Sequence, residues 1–197
     1  GVLCGYANTA SVLASMRRDE DAKARALKAE HLARELLIDK PGHYSILNGM
    51  GEYFRLIGEI EYRAGRLEAS RGAFLGALKY QDDLTAKDPN DVEAARSREQ
   101  VRAELGVVEV RLGERASGLQ RLDRATSTLL NLSKERPGHR RISTTLANAL
   151  VHSAEAYAIL GQTARRCAAL NLAADVRASL IAKFPSLFTV RQIQAER

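Results

Sequence analysis

Tryptophan is absent, and the chain of 197 residues carries only six tyrosines and four phenylalanines. Aromatic platforms for single-stranded nucleic acid and aromatic cages for alkylammonium ligands need more than this. Cysteine occurs twice, at Cys4 and Cys167, without the short spacings of a zinc cluster or a disulfide framework. A reducing, cytoplasmic setting is therefore expected. No run approaches the ~18 apolar residues of a membrane span. The mildly apolar opening GVLCGYANTASVLASM has no basic leader ahead of it, unlike a signal peptide. The motifs HExxH, GxSxG and CxxC and a glycine-rich phosphate loop are missing too, so neither catalysis nor a metal or other cofactor is expected.

What is present is alanine, leucine and charge. Glycine and proline are sparse, at 14 and 4, which favours helix over strand. Lysine and arginine number 30 against 24 acidic residues, giving a formal charge of +6. Both signs mix in stretches such as RRDEDAKARALKAEHLARE, the pattern of a solvated helical surface. The same expectation covers the carboxylate pairs Glu59/Glu61 and Asp82/Asp83. Cys167 follows Arg165 and Arg166, which could activate a thiol. A small residue packed near a turn is the simpler expectation for it.

The four prolines, Pro41, Pro89, Pro137 and Pro185, stand at a constant interval of 48. Gly65, Gly113 and Gly161 share that interval and sit midway between them. So do Ala29, Ala77, Ala125 and Ala173, and Leu36, Leu84, Leu132 and Leu180. Ala26, Phe74, Leu122 and Leu170 follow, with Val12, Ile60, Val108 and Ala156, and Met16, Ala64, Leu112 and Leu160. The chain repeats itself. Within one unit, Ile46, Met50, Phe54, Ile57, Ile60 and Ala64 step by three and four, an apolar helical stripe. Phe74, Ala77 and Leu84 make a second stripe that ends at proline. Each unit is thus two helices of about 20 residues, near 30 Å long, turned by glycine and stopped by proline. Asp91 and Glu93 supply acid at one helix start, and Lys40, Lys87, Arg136 and Lys183 supply base at the ends. The Pro-Gly-His sequences around His43 and His139 are then equivalent turns, not two halves of a metal site.

Around each midpoint turn the residues resemble the tetratricopeptide (TPR) family. Leu105-Gly106, Gly113, Gly118, Leu122 and Ala125 stand at that family's spacing, as do Ile57-Gly58, Gly65, Ser70, Phe74 and Ala77. The last unit fits with Ala154, Tyr157, Gly161, Leu170 and Ala173, but Arg166 holds a usually small position. The first has Ala10, Ala22 and Ala29, with Arg17 in place of the glycine. A TPR unit has about 34 residues; the longer unit fits two added turns per helix.

The resemblance implies an all-α, right-handed solenoid of antiparallel helix pairs. Its units are 1–41, 42–89, 90–137 and 138–185, with a further helix beginning at 186–197. Similar long repeats occur as regions appended to bacterial signalling proteins such as eukaryote-like serine/threonine kinases. The chain is expected to be part of a longer protein, or else its end helices cap the stack. The family places ligands in a concave groove lined by the first helix of each pair. By register the candidates here are Glu52, Arg55, Glu59, Tyr62 and Arg63, then Gln100, Val107 and Arg111, then Asn148, Val151 and Glu155. Glu59 replaces the asparagine of a carboxylate clamp, which disfavours a chaperone-tail ligand. A peptide or helix of another protein, or a neighbouring domain, is the expected partner, with self-association through uncapped ends possible in principle. Nucleic-acid binding is the alternative; it requires Arg55, Arg63, Arg111 and Arg140 to form one basic stripe.

Overall fold

A computed structural model describes residues 2–185, so the helix expected to begin at 186–197 lies outside the described residues. Those residues form eight helices and no strand. They are α1 (Val2–Ser15), α2 (Asp19–Asp39), α3 (Tyr44–Arg63), α4 (Leu67–Lys87), α5 (Val92–Arg111), α6 (Arg115–Glu135), α7 (Arg140–Ile159) and α8 (Thr163–Lys183). The described chain is all-α.

The glycines act where the spacing puts them. Gly65, Gly113 and Gly161 have φ of 75°, 92° and 69°, the left-handed region that ends a helix at little cost to glycine. Each is followed by an N–H that reaches back five residues: Arg66 to Glu61 O at 3.0 Å, Glu114 to Glu109 O at 2.9 Å, Gln162 to Tyr157 O at 2.8 Å. Arg17 adopts the same turn at φ 61°, with Arg18 N donating to Leu13 O at 2.9 Å, so the first unit keeps the geometry without the glycine. The second helix of each pair ends two residues before its proline.

His43 and His139 are the residues at the N-caps of α3 and α7, and Asp91 is that of α5. The Asp91 carboxylate accepts from Glu93 N at 2.9 Å and Ala94 N at 3.0 Å, two donors with no partner in the helix itself. Asp91→Ala is expected to lower stability by about 1 kcal/mol, measured as a shift in the urea midpoint at unchanged slope.

Consecutive helices pack pairwise, and α1, α3, α5 and α7 also touch in turn. Two of the pairs are held close by small residues. A Cβ on Gly106 would lie 2.8 Å from Gly118 O, and one on Gly118 would lie 2.5 Å from Gly106 O, so only glycine lets α5 and α6 meet there. At the matching point of α3 and α4, a Cβ on Gly58 would strike the Phe74 ring at 2.7 Å, and Ser70 Oγ donates to Gly58 O at 2.8 Å. Arg166, at the equivalent place on α8, is exposed.

Apolar burial follows the repeat inside the stack and departs from it at the ends. Ile60, Val108 and Ala156 are buried, whereas their equivalent Val12 is 57% exposed. Phe74 and Leu122 are buried, but Leu170 is 39% exposed. Interior helices are covered by a neighbouring pair: Phe74 packs with Val101, Leu105 and Val108 of the following α5, and Ile60 with Ala10, Ala14 and Ala22 of the preceding α1 and α2. Two further expectations need correction. Cys167 is exposed rather than packed at its turn. Glu61 is buried, accepting from Arg66 and lying 2.6 Å from Lys23 Nζ, because α2 and the α3–α4 turn close over it.

Candidate functional site

Helix α5 touches α3, α4, α6 and α7, and from Val101 to Val110 every residue is buried. Yet its sequence, VEAARSREQVRAELGVVEVR, is charged on all sides. Those charges are therefore matched inside the protein. Glu99, fully buried, meets Arg98 and Arg102. Glu109 takes Arg121 Nε on both oxygens, at 2.8 and 2.9 Å. Arg96 donates to Glu93 at 3.0 Å, Gln100 at 3.1 Å, Thr145 at 3.1 Å and Ser97 at 2.8 Å. A mixed-charge pattern read as a solvated surface is, on this helix, a buried ion-pair lattice.

Where α3, α5 and α7 converge, a cavity of about 280 Å³ opens. From α3 it is lined by Arg55, Glu59 and Tyr62, and from α5 by Gln100, Ala103, Glu104 and Val107. Helix α7 adds Thr145, Asn148, Ala149, Val151 and His152, and Phe74 of α4 closes the back. Among the candidates from the sequence, Arg55, Glu59, Tyr62, Gln100, Val107, Asn148 and Val151 are thus brought together.

The other four stand at its margins. Glu52 accepts from Arg55 Nε at 3.0 Å. Arg63 holds Glu59 at 2.6 Å and Asp19 of α2 at 2.6 Å. Arg111 and Glu155 close the far end: Arg111 Nη2 lies 2.5 Å from Glu155 Oε1, which also accepts from Tyr62 Oη at 2.5 Å, and the Arg111 guanidinium sits 4.6 Å over the Tyr62 ring. Burial beside Glu155 pushes the Tyr62 phenol well above its usual value. Arg55, Arg63 and Arg111 are each engaged by carboxylates, and Arg140, the fourth residue of the expected basic stripe, is exposed at the start of α7.

Six lining residues were not among those candidates, Phe74, Ala103, Glu104, Thr145, Ala149 and His152, and of these Glu104 and His152 carry buried polar atoms without a partner. Glu104 is 9% exposed. Its Oε1 accepts from Arg55 Nη1 at 3.3 Å and Gln100 Nε2 at 3.1 Å, while Oε2 is buried without a donor. Burial raises the Glu104 carboxyl to about 7; Arg55 and Gln100 pull it down, and Glu59 and Glu52 push it further up. His152 Nδ1 is likewise buried without a partner, and burial holds its ring below the ordinary histidine range despite Glu155 and Glu59. The signal for Glu104 was present in the repeat: it lies one turn from Gln100 and one residue before the Leu105-Gly106 contact, on the edge of α5 that faces α3. Charge alone gave no reason to place it inside.

The site is a narrow, polar-ended cleft with apolar walls, able to hold and orient a ligand. Among the described residues, no group of three His, Cys, Asp or Glu side chains is placed to hold a metal ion, and no helix is long and apolar enough to cross a membrane. No family model, curated protein or solved structure matches the chain.

Proposed function

We propose that the chain is a long-repeat, TPR-like interaction module. In this reading it is a right-handed solenoid of about four 48-residue units whose first helices present a groove to a segment of another protein. The observation that carries it is the cavity itself. Three helices separated by 48 residues in sequence contribute to one cleft, with apolar walls (Ala103, Val107, Val151) and polar groups (Arg55, Glu59, Glu104). Peptide recognition needs both: apolar area for affinity and fixed polar groups for register. The joints of the repeat also favour a regulatory or scaffolding part of a bacterial signalling protein, on the loose likeness to regions appended to eukaryote-like kinases.

Selection of a random short-peptide library against the protein tests the groove. Binding peptides are expected to lose about tenfold or more in affinity when Asn148, exposed at the cavity on α7, becomes tryptophan. They should be indifferent to Asn131→Trp on the exposed face of α6. Peptides unaffected by Asn148→Trp would place recognition on another face and overturn the proposal.

A further inference from the structure

We propose that the cavity receives the cationic head of one lysine or arginine side chain from the partner peptide, set against Glu104 with its hydrocarbon stem along Ala103, Val107 and Val151. This rests on the groove reading above and names what the groove selects.

The geometry leaves Glu104 underserved. Three carboxylates, Glu52, Glu59 and Glu104, share the one guanidinium of Arg55. Its Nη1 reaches Glu59 at 3.4 Å and Glu104 at 3.3 Å, longer than the ~2.7–2.9 Å of a committed charged pair. Arg63 is taken by Glu59 and Asp19, and Arg111 by Glu155. Gln100 already gives its amide to Oε1 of Glu104. From α7 the lining ring is His152, whose burial disfavours its cationic form. Glu104 Oε2 is therefore buried with no hydrogen-bond donor among the described residues.

Charge sets the ligand's sign. Around the cavity stand Glu52, Glu59, Glu104 and Glu155 against Arg55, Arg63 and Arg111, an acidic excess in a chain whose formal charge is +6. Arg63 is further engaged by Asp19, and Arg96, beside the lining residues Gln100 and Thr145, is engaged by Glu93. An anion would meet Glu104 and be repelled. A neutral amide could donate to Oε2 but would leave the excess uncompensated in a poorly solvated place. Size sets the ligand's extent. At about 280 Å³ the cavity falls just below the range of about 300–1,000 Å³ typical of cofactor and small-molecule pockets, which suits one long side chain.

The test uses capped, glycine-flanked peptides bearing a single arginine, lysine, glutamine or glutamate, titrated into the labelled protein and followed by amide shifts in NMR. The arginine or lysine peptide is expected to move signals of Ala103, Glu104, Val107, Val151 and His152. Affinity should be about tenfold weaker near pH 6 than near pH 8, because only about a tenth of a carboxyl held at about 7 is ionised one pH unit below it. Glu104→Gln should weaken it about tenfold at pH 8, and the glutamine and glutamate peptides should leave the spectrum unchanged. Equal binding of the glutamine peptide, preference for glutamate, or indifference to Glu104→Gln would overturn the inference. So would silence of all four, which would leave the cavity to water. Library peptides that are lost on Asn148→Trp yet carry no basic residue would overturn this inference and leave the groove standing; library peptides indifferent to Asn148→Trp would remove both.

Discussion

Arg55→Met is expected to cost the protein up to about 3 kcal/mol at pH 8. The methionine keeps much of the stem and removes the charge, so the loss reports electrostatics more than packing. Arg55 is 13% exposed in its side chain and stands among Glu52, Glu59 and Glu104. Burial opposes its charge, but Glu104, Glu52 and Glu59 together hold its guanidinium more firmly protonated than in water. Glu52 and Glu59 are 37% and 43% exposed and can turn to solvent, so their share of the effect is small. Glu104 cannot turn away, and at pH 8, where it is mostly ionised beside Arg55, removing that partner either leaves a buried charge alone or forces the carboxyl to take up a proton. For a chain of this size each kcal/mol moves the melting temperature by about 2–4 °C, so thermal unfolding followed by circular dichroism should fall by up to about 10 °C. The double variant Arg55→Met, Glu104→Met should recover more than half of the loss, since a buried pair replaced by apolar residues of similar size is often tolerated. A single-variant loss below about 1 kcal/mol, or no recovery in the double variant, would show that the cluster is not coupled in this way.

The second large effect runs in the other direction. Glu104→Gln is expected to stabilise the protein near pH 8 by up to about 3 kcal/mol, and to do nothing near pH 4. The folded state holds this carboxyl at about 7 against an ordinary 4.5. Where both states are protonated, below about 4.5, the carboxyl makes no pH-dependent contribution. As pH rises from there through about 7, the unfolded chain gives up its proton more readily, and the folded state loses stability relative to it. Glutamine mimics the protonated form at every pH, so the gain grows across that same window. Denaturant midpoints of both proteins across the window measure it; a constant difference, or one that shrinks toward pH 8, contradicts the account. A site kept at the expense of stability is a common mark of function, and Glu104→Gln is the substitution expected to improve the fold while weakening capture of a basic side chain.

The repeat made much of the helical arrangement legible. Prolines and glycines mark helix ends through local backbone preferences, and they placed the ends of α2 to α8 within a few residues, although Arg17 takes the glycine's turn in the first unit. The small pair at Gly106 and Gly118 was legible for the same reason, since a Cβ there would meet a backbone carbonyl. Burial of charge was not. Whether Glu61, Glu99 or Glu104 sits in water depends on which helix lies across it, and a sequence records only that each is an acid on a helix. At the ends the register continues without the burial, as an uncapped stack would have it. Val12 and Leu170 carry the right residues for a core, but in the described structure no further helix pair covers them as Ile60 and Phe74 are covered. Seven groove candidates converge on one cavity because register alone fixes which side of a first helix faces the next; the residues that give the cavity its chemistry, Glu104 and His152, had to be found through their missing partners.

The most direct measurement is the titration of the Glu104 carboxyl itself, by carbon-13 NMR of glutamate-labelled protein with Glu104→Gln to assign the signal. The account predicts a midpoint near 7 in the free protein, falling by one pH unit or more when the arginine-bearing peptide saturates the groove. A midpoint near 4.5, unchanged by the peptide, would contradict it.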